Sequence, residues 1–332
     1  MSDALRYNRA MLSEFDLIRH YFTRPAHTAA HVELGVGDDG ALLTPTPGMQ
    51  MVISTDMLVE GRHFLPGADP AKLAHKCLAV NLSDLAAMGA QPRAFTLAFS
   101  LPEARAEWLA DFSAGLFALA DLHDCALIGG DTTKGPLNIC ITVFGETLPG
   151  QALRRDAAQP GDDIWVSGSL GDARLALAGY REEMPLAPEV LARAAERMHT
   201  PTPRVQLGMA LRGIAHAAID VSDGLAGDLG HILARSQVGA TLMIDALPCG
   251  PMLARQEPGL QRAFALAGGD DYELCFTAPA EQRAAILAAG SSTATPVTRI
   301  GSIERASGLR LVDAAGARVQ LQLSSFDHFS SP

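Results

Sequence analysis

Apolar residues recur at helical spacing in some segments of the chain and gather in short β-branched runs in others. The clearest helix runs from Asp69-Pro70 to Met88, because Asp69 suits the N-cap, Pro70 suits the first helical position and Gly89 suits the end. The same patterns predict strands at Val32–Leu43, Met51–Thr55, Arg93–Leu101, Ala126–Ile128, Leu137–Glu146, Asp163–Gly168 and Ala217–Asp220, and helices at Glu103–His123, Gly171–Ala178, Pro188–Met198, Arg204–Ala215 and Ser222–Ser236.

Strands and helices mix along the whole chain, which favours an α/β (α+β) fold. The segment Leu148-Pro149-Gly150 interrupts the pattern, and 332 residues are enough for two domains of ordinary size. We therefore expect an N-terminal domain of residues 1–149, built from a mixed sheet with helices, and a C-terminal α/β sandwich of residues 150–332.

Composition narrows the possible partners. The formal net charge is −11 and no basic run is present, which argues against nucleic acid. No apolar run approaches the ~18 residues that span a bilayer, and the start of the chain mixes charged and apolar residues as an amphipathic helix does. We therefore expect a cytoplasmic protein without membrane segments. Its five cysteines are widely spaced, which predicts buried free thiols.

The placement of the aspartates is the most informative feature of the sequence. Most of them follow a predicted strand or adjoin a glycine, whereas Asp84 lies in the middle of an otherwise apolar helix. A carboxylate on a buried helix face needs a cation or strong hydrogen bonds, because removing its charge from water is costly. The residues concerned are Asp38, Asp39, Asp56, Asp84, Asp131, Asp220 and Asp223.

Carboxylates beside glycine suit a hard divalent cation and a phosphate-bearing ligand. Mg²⁺ takes oxygen ligands, and glycine lets backbone N–H groups approach phosphate oxygens. Two carboxylates ~4 Å apart repel by about 4 kcal/mol at an effective dielectric of about 20, so a gathered set requires divalent ions. Such ions would also screen a polyphosphate from this acidic protein. The pattern therefore predicts a magnesium-dependent, ATP-using phosphoryl transfer.

Each aspartate also has an ordinary structural interpretation, as a turn residue or a helix N-cap, and the sequence alone leaves their convergence open. The absence of a GxxxxGK[ST] loop, of the protein-kinase motifs and of a GxSxG elbow excludes P-loop enzymes, protein kinases and serine hydrolases of that type. A non-enzymatic module that binds divalent metal is the alternative from a different class, and ATP binding would distinguish the two.

Six segments, taken together and in order, resemble the thiamine-monophosphate kinase family of the aminoimidazole-ribonucleotide synthetase-like ATP enzymes. They are VELGVGDDGALL, ISTDMLVEGRHF, KCLAVNLSDLAAMGAQP, LIGGDTTKGPL, AIDVSDGLAGDLGHI and AGGDDYELCF. The resemblance implies phosphorylation of thiamine phosphate to thiamine diphosphate by direct in-line transfer of the γ-phosphoryl group of ATP. It also implies several Mg²⁺ ions and a homodimer in which the N-terminal sheets join into a β-barrel.

The resemblance further implies roles for particular residues. The catalytic residues would be Asp84, Asp131 and Asp220. ATP would be bound by Gly130, Asp131, Arg155 and Ser222, and thiamine phosphate by His63, Asp270 and Phe326. The metal ligands would be Asp39, Ser54, Thr55, Asp56, Asp84, Asp131, Asp220 and Asp223, while Asp38 would support its turn.

One position departs from the family pattern. The family commonly has Glu where this chain has Asp270, in AGGDDYELCF. The shorter side chain keeps the carboxylate but reduces its reach toward the substrate. Other ATP enzymes of the same superfamily remain alternatives, although the absence of any cysteine before Cys77 argues against a selenophosphate synthetase.

Overall fold

In the computed structural model, which describes residues 13–24 and 31–321, two larger sheets both contact one central helix, α2. The N-terminal half contains α1 (Glu14–Leu17) with a π-helical turn at Ile18–Phe22, β1 (Val32–Leu34), β2 (Leu42–Leu43), β3 (Gln50–Val59), α2 (Pro70–Ala87), β4 (Gln91–Leu101), α3 (Ala106–Leu122), β5 (Ala126–Lys134) and β6 (Asn138–Thr147). The C-terminal half contains β7 (Asp163–Ser167), α4 (Asp172–Tyr180), α5 (Pro188–His199), α6 (Val205–Ala210), β8 (Ala217–Asp220), α7 (Leu225–Ser236), β9 (Gly239–Met243), α8 (Pro258–Ala267), β10 (Leu274–Ala278), α9 (Arg283–Ser292), β11 (Val297–Glu304) and β12 (Gly308–Val312).

Each larger sheet mixes parallel and antiparallel strands. The N-terminal sheet has the order β3-β6-β4-β5, in which only β4 and β5 run parallel. The C-terminal sheet has the order β12-β9-β11-β7-β10-β8, in which only β12 and β9 run parallel. The predicted two-part α/β (α+β) fold is confirmed. The division at residues 149 and 150 and the dimeric barrel stay predictions.

The helix α2 forms as predicted and joins the two halves. The Asp69 carboxylate accepts the backbone N–H of Lys72 at 2.9 Å, and Pro70 occupies the first turn. Its apolar side chains, such as Leu78 and Leu82, share one core with Trp165 and Phe276 of the C-terminal sheet. Burying each such side chain contributes about 1.5–3 kcal/mol, so this shared core fixes α2 against both sheets.

The prediction of one strand at Val32–Leu43 is wrong. Two short strands, β1 and β2, pair antiparallel and are separated by a turn. The Asp38 carboxylate accepts the N–H of Asp39 at 2.8 Å within that turn. Short polar side chains that bind nearby backbone compete with an extended conformation, which explains the break.

Two strands extend beyond their predicted ends, and this changes where two aspartates lie. Because β3 reaches Val59, Asp56 lies inside the strand rather than after it. Because β5 reaches Lys134, Asp131 also lies within its strand, paired with Ala98. Gly130 permits this close pairing, since a Cβ there would stand 1.8 Å from the Leu97 carbonyl oxygen.

Three predicted helices are shorter in the structure, and α3 begins at Ala106 instead of Glu103 and ends at Leu122. The helix α6 ends at Ala210, five residues before the predicted end, and turns follow it. The helix α7 begins at Leu225, so Ser222 and Asp223 lie in the loop that precedes it. The cysteines are free, and Cys77, Cys125 and Cys275 are buried while the other two are half-buried. None of the described helices combines the length and the apolar character required to traverse a bilayer.

Candidate active site

One polar face of α2 is turned toward β3. The Asp84 carboxylate accepts a short hydrogen bond from the Ser54 hydroxyl, and the Asn81 side-chain oxygen accepts the backbone N–H of Asp56 at 3.1 Å. Ser54 and Asp56 stand two residues apart on the strand, so their side chains point to the same face of the sheet. The structure therefore brings Ser54, Asp56 and Asp84 together, a convergence that the sequence alone leaves open.

A second polar position of α2 is turned toward the C-terminal sheet. The Ser83 hydroxyl donates to Asp220 Oδ2 at 2.8 Å, and Asp220 is the last residue of β8 and is buried. Since Ser83 precedes Asp84 in the helix, Ser54 of β3 and Asp220 of β8 contact adjacent residues of α2. Asn81 and Ser83 were missed by the sequence reasoning, although polar residues in an apolar helix carry the same signal as Asp84.

The carboxylates of this group are poorly compensated by the chain's own cations. Burial, with the nearby Asp84 charge adding to it, raises the pKa of Asp56 to about 7. Burial and the same Asp84 charge raise the pKa of Asp220 to about 8. Burial also raises the pKa of Asp84, against the opposing effects of the Ser54 hydrogen bond and the Arg155 charge. The site thus favours a bound positive charge.

The loop that follows Asp220 is shaped by a residue that the sequence reasoning did not single out. The Asp228 carboxylate is buried and accepts the backbone N–H groups of Ser222, Asp223 and Gly224, each at 3.1 Å. Burial raises the pKa of Asp228 to about 7, despite hydrogen bonds that lower it. Asp228 therefore holds Ser222 and Asp223 close to the end of β8.

Two predicted residues lie away from this group within one chain. Thr55 points to the opposite face of β3 from its neighbours, and its hydroxyl shares a 2.9 Å hydrogen bond with that of Thr142. Asp131 lies on β5, the other edge strand of the sheet, in a row with Met57 of β3. Three strand spacings of about 4.8 Å separate such positions by about 14 Å. One copy of the chain does not bring Asp131 to Asp56.

The remaining predicted residues occupy varied positions. Asp39 and Arg155 are exposed, and His63 Nδ1 accepts the Val59 N–H at 3.0 Å. Asp270 forms an ion pair with Lys76, with 2.5 Å between Oδ2 and Nζ. Phe326 lies outside the described residues.

The donor set fits a hard divalent cation in its chemistry. Across residues 13–24 and 31–321, no three His, Cys, Asp or Glu side chains are grouped closely enough to form a metal site as they stand. Carboxylate and hydroxyl oxygens nevertheless meet at α2, and these are the ligands that Mg²⁺ prefers. The raised pKa values of Asp56, Asp84 and Asp220 have the direction that uncompensated carboxylates produce.

Comparison with known proteins identifies the family. Residues 37–147 match the family AIR synthase related protein, N-terminal domain, and residues 159–314 match AIR synthase related protein, C-terminal domain. Thiamine-monophosphate kinase of Salmonella typhimurium is 47% identical over 322 residues, which cover 96% of this chain and 99% of that protein.

Solved structures agree with this relationship. The crystal structure of thiamine-monophosphate kinase from Stenotrophomonas maltophilia is similar at a TM-score of 0.80 and 50% identity, covering 85% of this chain and 91% of that one. The structure described as AaThiL complexed with AMPPCP and TMP is similar at a TM-score of 0.74 and 28% identity, covering 99% and 100%. The enzyme class predicted from the motifs is confirmed, and the chain belongs to the thiamine-monophosphate kinase family.

Proposed function

We propose that this chain transfers the γ-phosphoryl group of ATP to thiamine phosphate, in line and without a phosphoenzyme, with several Mg²⁺ ions. The observation that carries the proposal is the convergence of Asp56, Asp84 and Asp220 on α2 without enough cations of their own. The related structure, AaThiL complexed with AMPPCP and TMP, supports a protein that binds both a nucleotide and an acceptor.

The residues that would hold Mg²⁺ are the carboxylates at α2 and their neighbours. Bound Mg²⁺ supplies charge neutralisation and orientation of phosphate oxygens. The full proposed ligand set is Asp39, Ser54, Thr55, Asp56, Asp84, Asp131, Asp220 and Asp223. Thr55 would contribute through its backbone, because its hydroxyl faces away from Asp84. Ser54 and Ser83 hold the carboxylates of Asp84 and Asp220 in fixed orientations.

The proposed transfer requires alignment of the acceptor phosphate with the γ-phosphorus more than removal of a proton. An oxygen of the acceptor phosphate, already ionised near neutral pH, forms a bond to the γ-phosphorus while the bond to the β,γ-bridging oxygen breaks and ADP leaves. Arg155 lies close enough to Asp84 to lower its pKa, and its planar guanidinium can take two phosphate oxygens. The Ser222 segment, held by Asp228, offers a further contact for the nucleotide.

The position of Asp131 supports a homodimer with shared sites. Asp131 and Asp56 are on opposite edge strands, so a second copy whose β3 runs beside β5 would bring Asp131 next to the partner's β3, on the face of the sheet that carries Thr55. The face that carries Asp131 also exposes Ile53 by 59% and Met57 by 53%. Apolar side chains of this kind suit an interface. Two sheets joined in this way would form the barrel that the family resemblance implies. The cytoplasmic location stays a prediction.

The reaction is tested with purified protein, Mg²⁺, ATP and thiamine phosphate. We expect ADP and thiamine diphosphate to appear in equal amounts, only when both substrates and Mg²⁺ are present. ATP hydrolysis that proceeds at the same rate without thiamine phosphate would refute the kinase function. Binding of divalent metal without any binding of ATP would favour the metal-binding alternative.

The shared site is tested by mixing two inactive variants, Asp84→Asn and Asp131→Asn. In a hybrid dimer one of the two sites keeps both aspartates if Asp131 acts across the interface. Random exchange makes about half of the dimers hybrid, so about a quarter of the wild-type activity should return. If the mixture stays inactive although hybrids form, Asp131 acts within its own chain, and an Asp131→Asn variant that is active by itself would show that Asp131 has no part in the reaction.

A further inference from the structure

The loop of residues 221–224 directly follows β8 and leads into α7. Its carbonyl groups are held by the segment that precedes β10. The N–H groups of Asp270 and Tyr272 donate to the carbonyls of Ser222 and Val221, each at 2.8 Å. Backbone groups inside a protein need partners of this kind, so one side of the loop is fixed by the chain itself.

Packing brings the same two segments into close contact. A Cβ on Gly269 would stand 2.3 Å from the Ser222 carbonyl oxygen, and a Cβ on Gly224 would stand 2.8 Å from the Ala267 carbonyl carbon. Contacts this short exclude any side chain between the two backbones. The loop therefore rests directly on the chain between α8 and β10.

The N–H groups on the other side of the loop all meet one carboxylate. Those of Ser222, Asp223 and Gly224 converge on Asp228 Oδ2, each at 3.1 Å, and Asp228 is only 3% exposed. An acidic residue in the first turn of a helix ordinarily stabilises the start of that helix. Here the carboxylate reaches back beyond Leu225, where α7 begins, to three consecutive residues of the loop. Stabilisation of the helix therefore accounts for only part of this arrangement.

Consecutive N–H groups that converge on one point form a concave site for an anion, and in phosphate sites the ligand supplies that anion. In this loop the anion is a carboxylate of the chain, so these backbone donors are already occupied. Contacts from the loop to a ligand then come from oxygen atoms, such as the side-chain oxygens of Ser222 and Asp223, next to Asp220 at the end of β8. Oxygen atoms of this kind suit Mg²⁺. The internal carboxylate thus favours a cation over an anion at this loop.

We infer that Asp228 is a positioning residue of the proposed transfer. Its carboxylate fills the anion site of the loop, and it thereby sets Ser222 and Asp223 in place for Mg²⁺ and the nucleotide before either binds. The inference rests on the proposed function and deepens it, because it explains how the C-terminal half keeps its share of the ligand set in order. Asp228 acts through the loop and contacts neither the metal nor the substrates.

The inference predicts a graded loss when the carboxylate is changed. Asp228→Asn keeps an oxygen that can accept N–H groups but loses the charge, so kcat should fall about tenfold. Asp228→Ala removes the acceptor altogether, so kcat should fall about 100-fold. Binding is measured separately with Mn²⁺ in place of Mg²⁺, in the presence of AMPPCP, from the electron paramagnetic resonance of the free ion. The affinity for Mn²⁺ should weaken about tenfold in Asp228→Ala.

A matched control is Asp172→Asn. Asp172 also lies in the first turn of a helix and is also 3% exposed. Its carboxylate accepts the N–H groups of Met252 and Leu253 at 3.3 and 2.7 Å, but that loop carries none of the proposed ligands. The variant should lower the midpoint of thermal unfolding about as much as Asp228→Asn does, while kcat per folded molecule and Mn²⁺ affinity stay within about twofold of wild type. Equal losses of both in Asp172→Asn would show that the effect of Asp228 is a general loss of structure.

The wild-type protein provides a test that does not depend on a variant that folds. Because the loop is set in place before a ligand binds, its amide hydrogens should be protected in protein stripped of Mg²⁺ and nucleotide. We expect the amides of Ser222, Asp223 and Gly224 to exchange at least about 100-fold more slowly than in an unstructured peptide. Adding Mg²⁺ and AMPPCP should slow them by less than about tenfold more. Hydrogen exchange read by mass spectrometry of overlapping peptides measures both.

Two further results would overturn the inference. One is a kcat and a Mn²⁺ affinity within about twofold of wild type in Asp228→Ala, because Asp228 would then serve the helix alone. The other is fast exchange of the loop amides without ligand and protection only with Mg²⁺ and AMPPCP, because the ligand would then order the loop. Failure of the proposed function is distinguishable: the wild-type protein would show no release of ADP that depends on thiamine phosphate, whereas Mn²⁺ binding and hydrogen exchange are measured without an acceptor.

Discussion

Asp163 and the group Asp56, Asp84 and Asp220 are all carboxylates placed inside the protein, but only Asp163 is given its own cations. Arg283 and Arg299 each place Nε 2.5 Å from an Asp163 oxygen. Burial raises the pKa of Asp163, but the two arginines outweigh it and hold the pKa below its usual value. At α2 the carboxylates receive mainly hydroxyl hydrogen bonds, and their pKa values rise.

The difference separates acids that complete the fold from acids that await a ligand. Glu273 belongs with Asp163, because Arg197, Arg204 and the Ser167 hydroxyl all bind its buried carboxylate. The same chain places two arginines on the Glu273 carboxylate but a hydroxyl group on the Asp84 carboxylate. The scarcity of cations at α2 is thus a property of that site and fits an incoming metal–phosphate complex.

The largest effect is expected for Asp84→Asn. We expect kcat to fall at least about 1,000-fold, because one charge of the proposed metal site is lost. The midpoint of thermal unfolding should change by no more than about 4 °C, because removing one of several repelling carboxylates costs the fold little. Steady-state kinetics and calorimetry on the same preparation measure both. Retained activity would show that Asp84, like Asp163, serves the fold and not the reaction.

The complementary change is Asp163→Asn. It leaves two arginines beside a neutral amide, so we expect the unfolding midpoint to fall by about 3–6 °C. The kcat for thiamine phosphate, measured per folded molecule at 25 °C, should remain unchanged. A normal midpoint with reduced kcat would show that Asp163 belongs to the reaction and not to the fold.

The ion pairs of Asp163 also predict how the stability of the protein depends on pH. A carboxyl whose folded pKa lies below its unfolded value, about 3.9 for Asp, stabilises the protein above that value and loses the effect as the pH falls through the folded pKa. The stability difference between wild type and Asp163→Asn should therefore be full above about pH 5 and shrink below about pH 4. Urea unfolding across this range measures it, and a constant difference would contradict the assignment.

The smallest effects concern the two faces of β3. Ser54→Ala removes the hydrogen bond to Asp84 and should lower kcat about tenfold. Thr55→Val removes a hydroxyl on the other face of β3 and should change kcat by less than about twofold, because any ligand role of Thr55 uses its backbone. Equal losses in both variants would show that the two faces of β3 are not functionally distinct.

Local patterns were sufficient for α2 and its residues. The N-cap at Asp69, the apolar repeat and the single carboxylate at Asp84 are all visible within about 20 residues, so the helix and its importance could be predicted. The same window contains Asn81 and Ser83, and a polar residue in an apolar helix carries the same signal as Asp84. Lys76 was overlooked because a lysine in a helix is usually a solvated residue, and its burial depends on Asp270, far along the chain.

The features that the sequence did not predict depend on contacts between residues far apart in the chain. The face to which Thr55 points and the edge at which Asp131 lies follow from the strand order β3-β6-β4-β5, which no local pattern specifies. The motif at Asp131 was recognised, but its distance from Asp56 was not predictable without that order. The role of Asp228 could not be predicted, because an acidic residue in the first turn of a helix is common. Its distinguishing feature is the set of three backbone N–H groups that its carboxylate accepts.

The helix α2 has a consequence for the insertions that this chain can accept. Lys76 and Asp84 are eight residues apart, about 12 Å along the axis, and a helix held by a core on both sides cannot lengthen that interval gradually. Inserting a single residue between them would rotate one against the other by about 100° and misdirect it. Such an insertion would uncouple Lys76 and its partner Asp270 from the carboxylate of Asp84, so α2 can change its side chains more readily than its length.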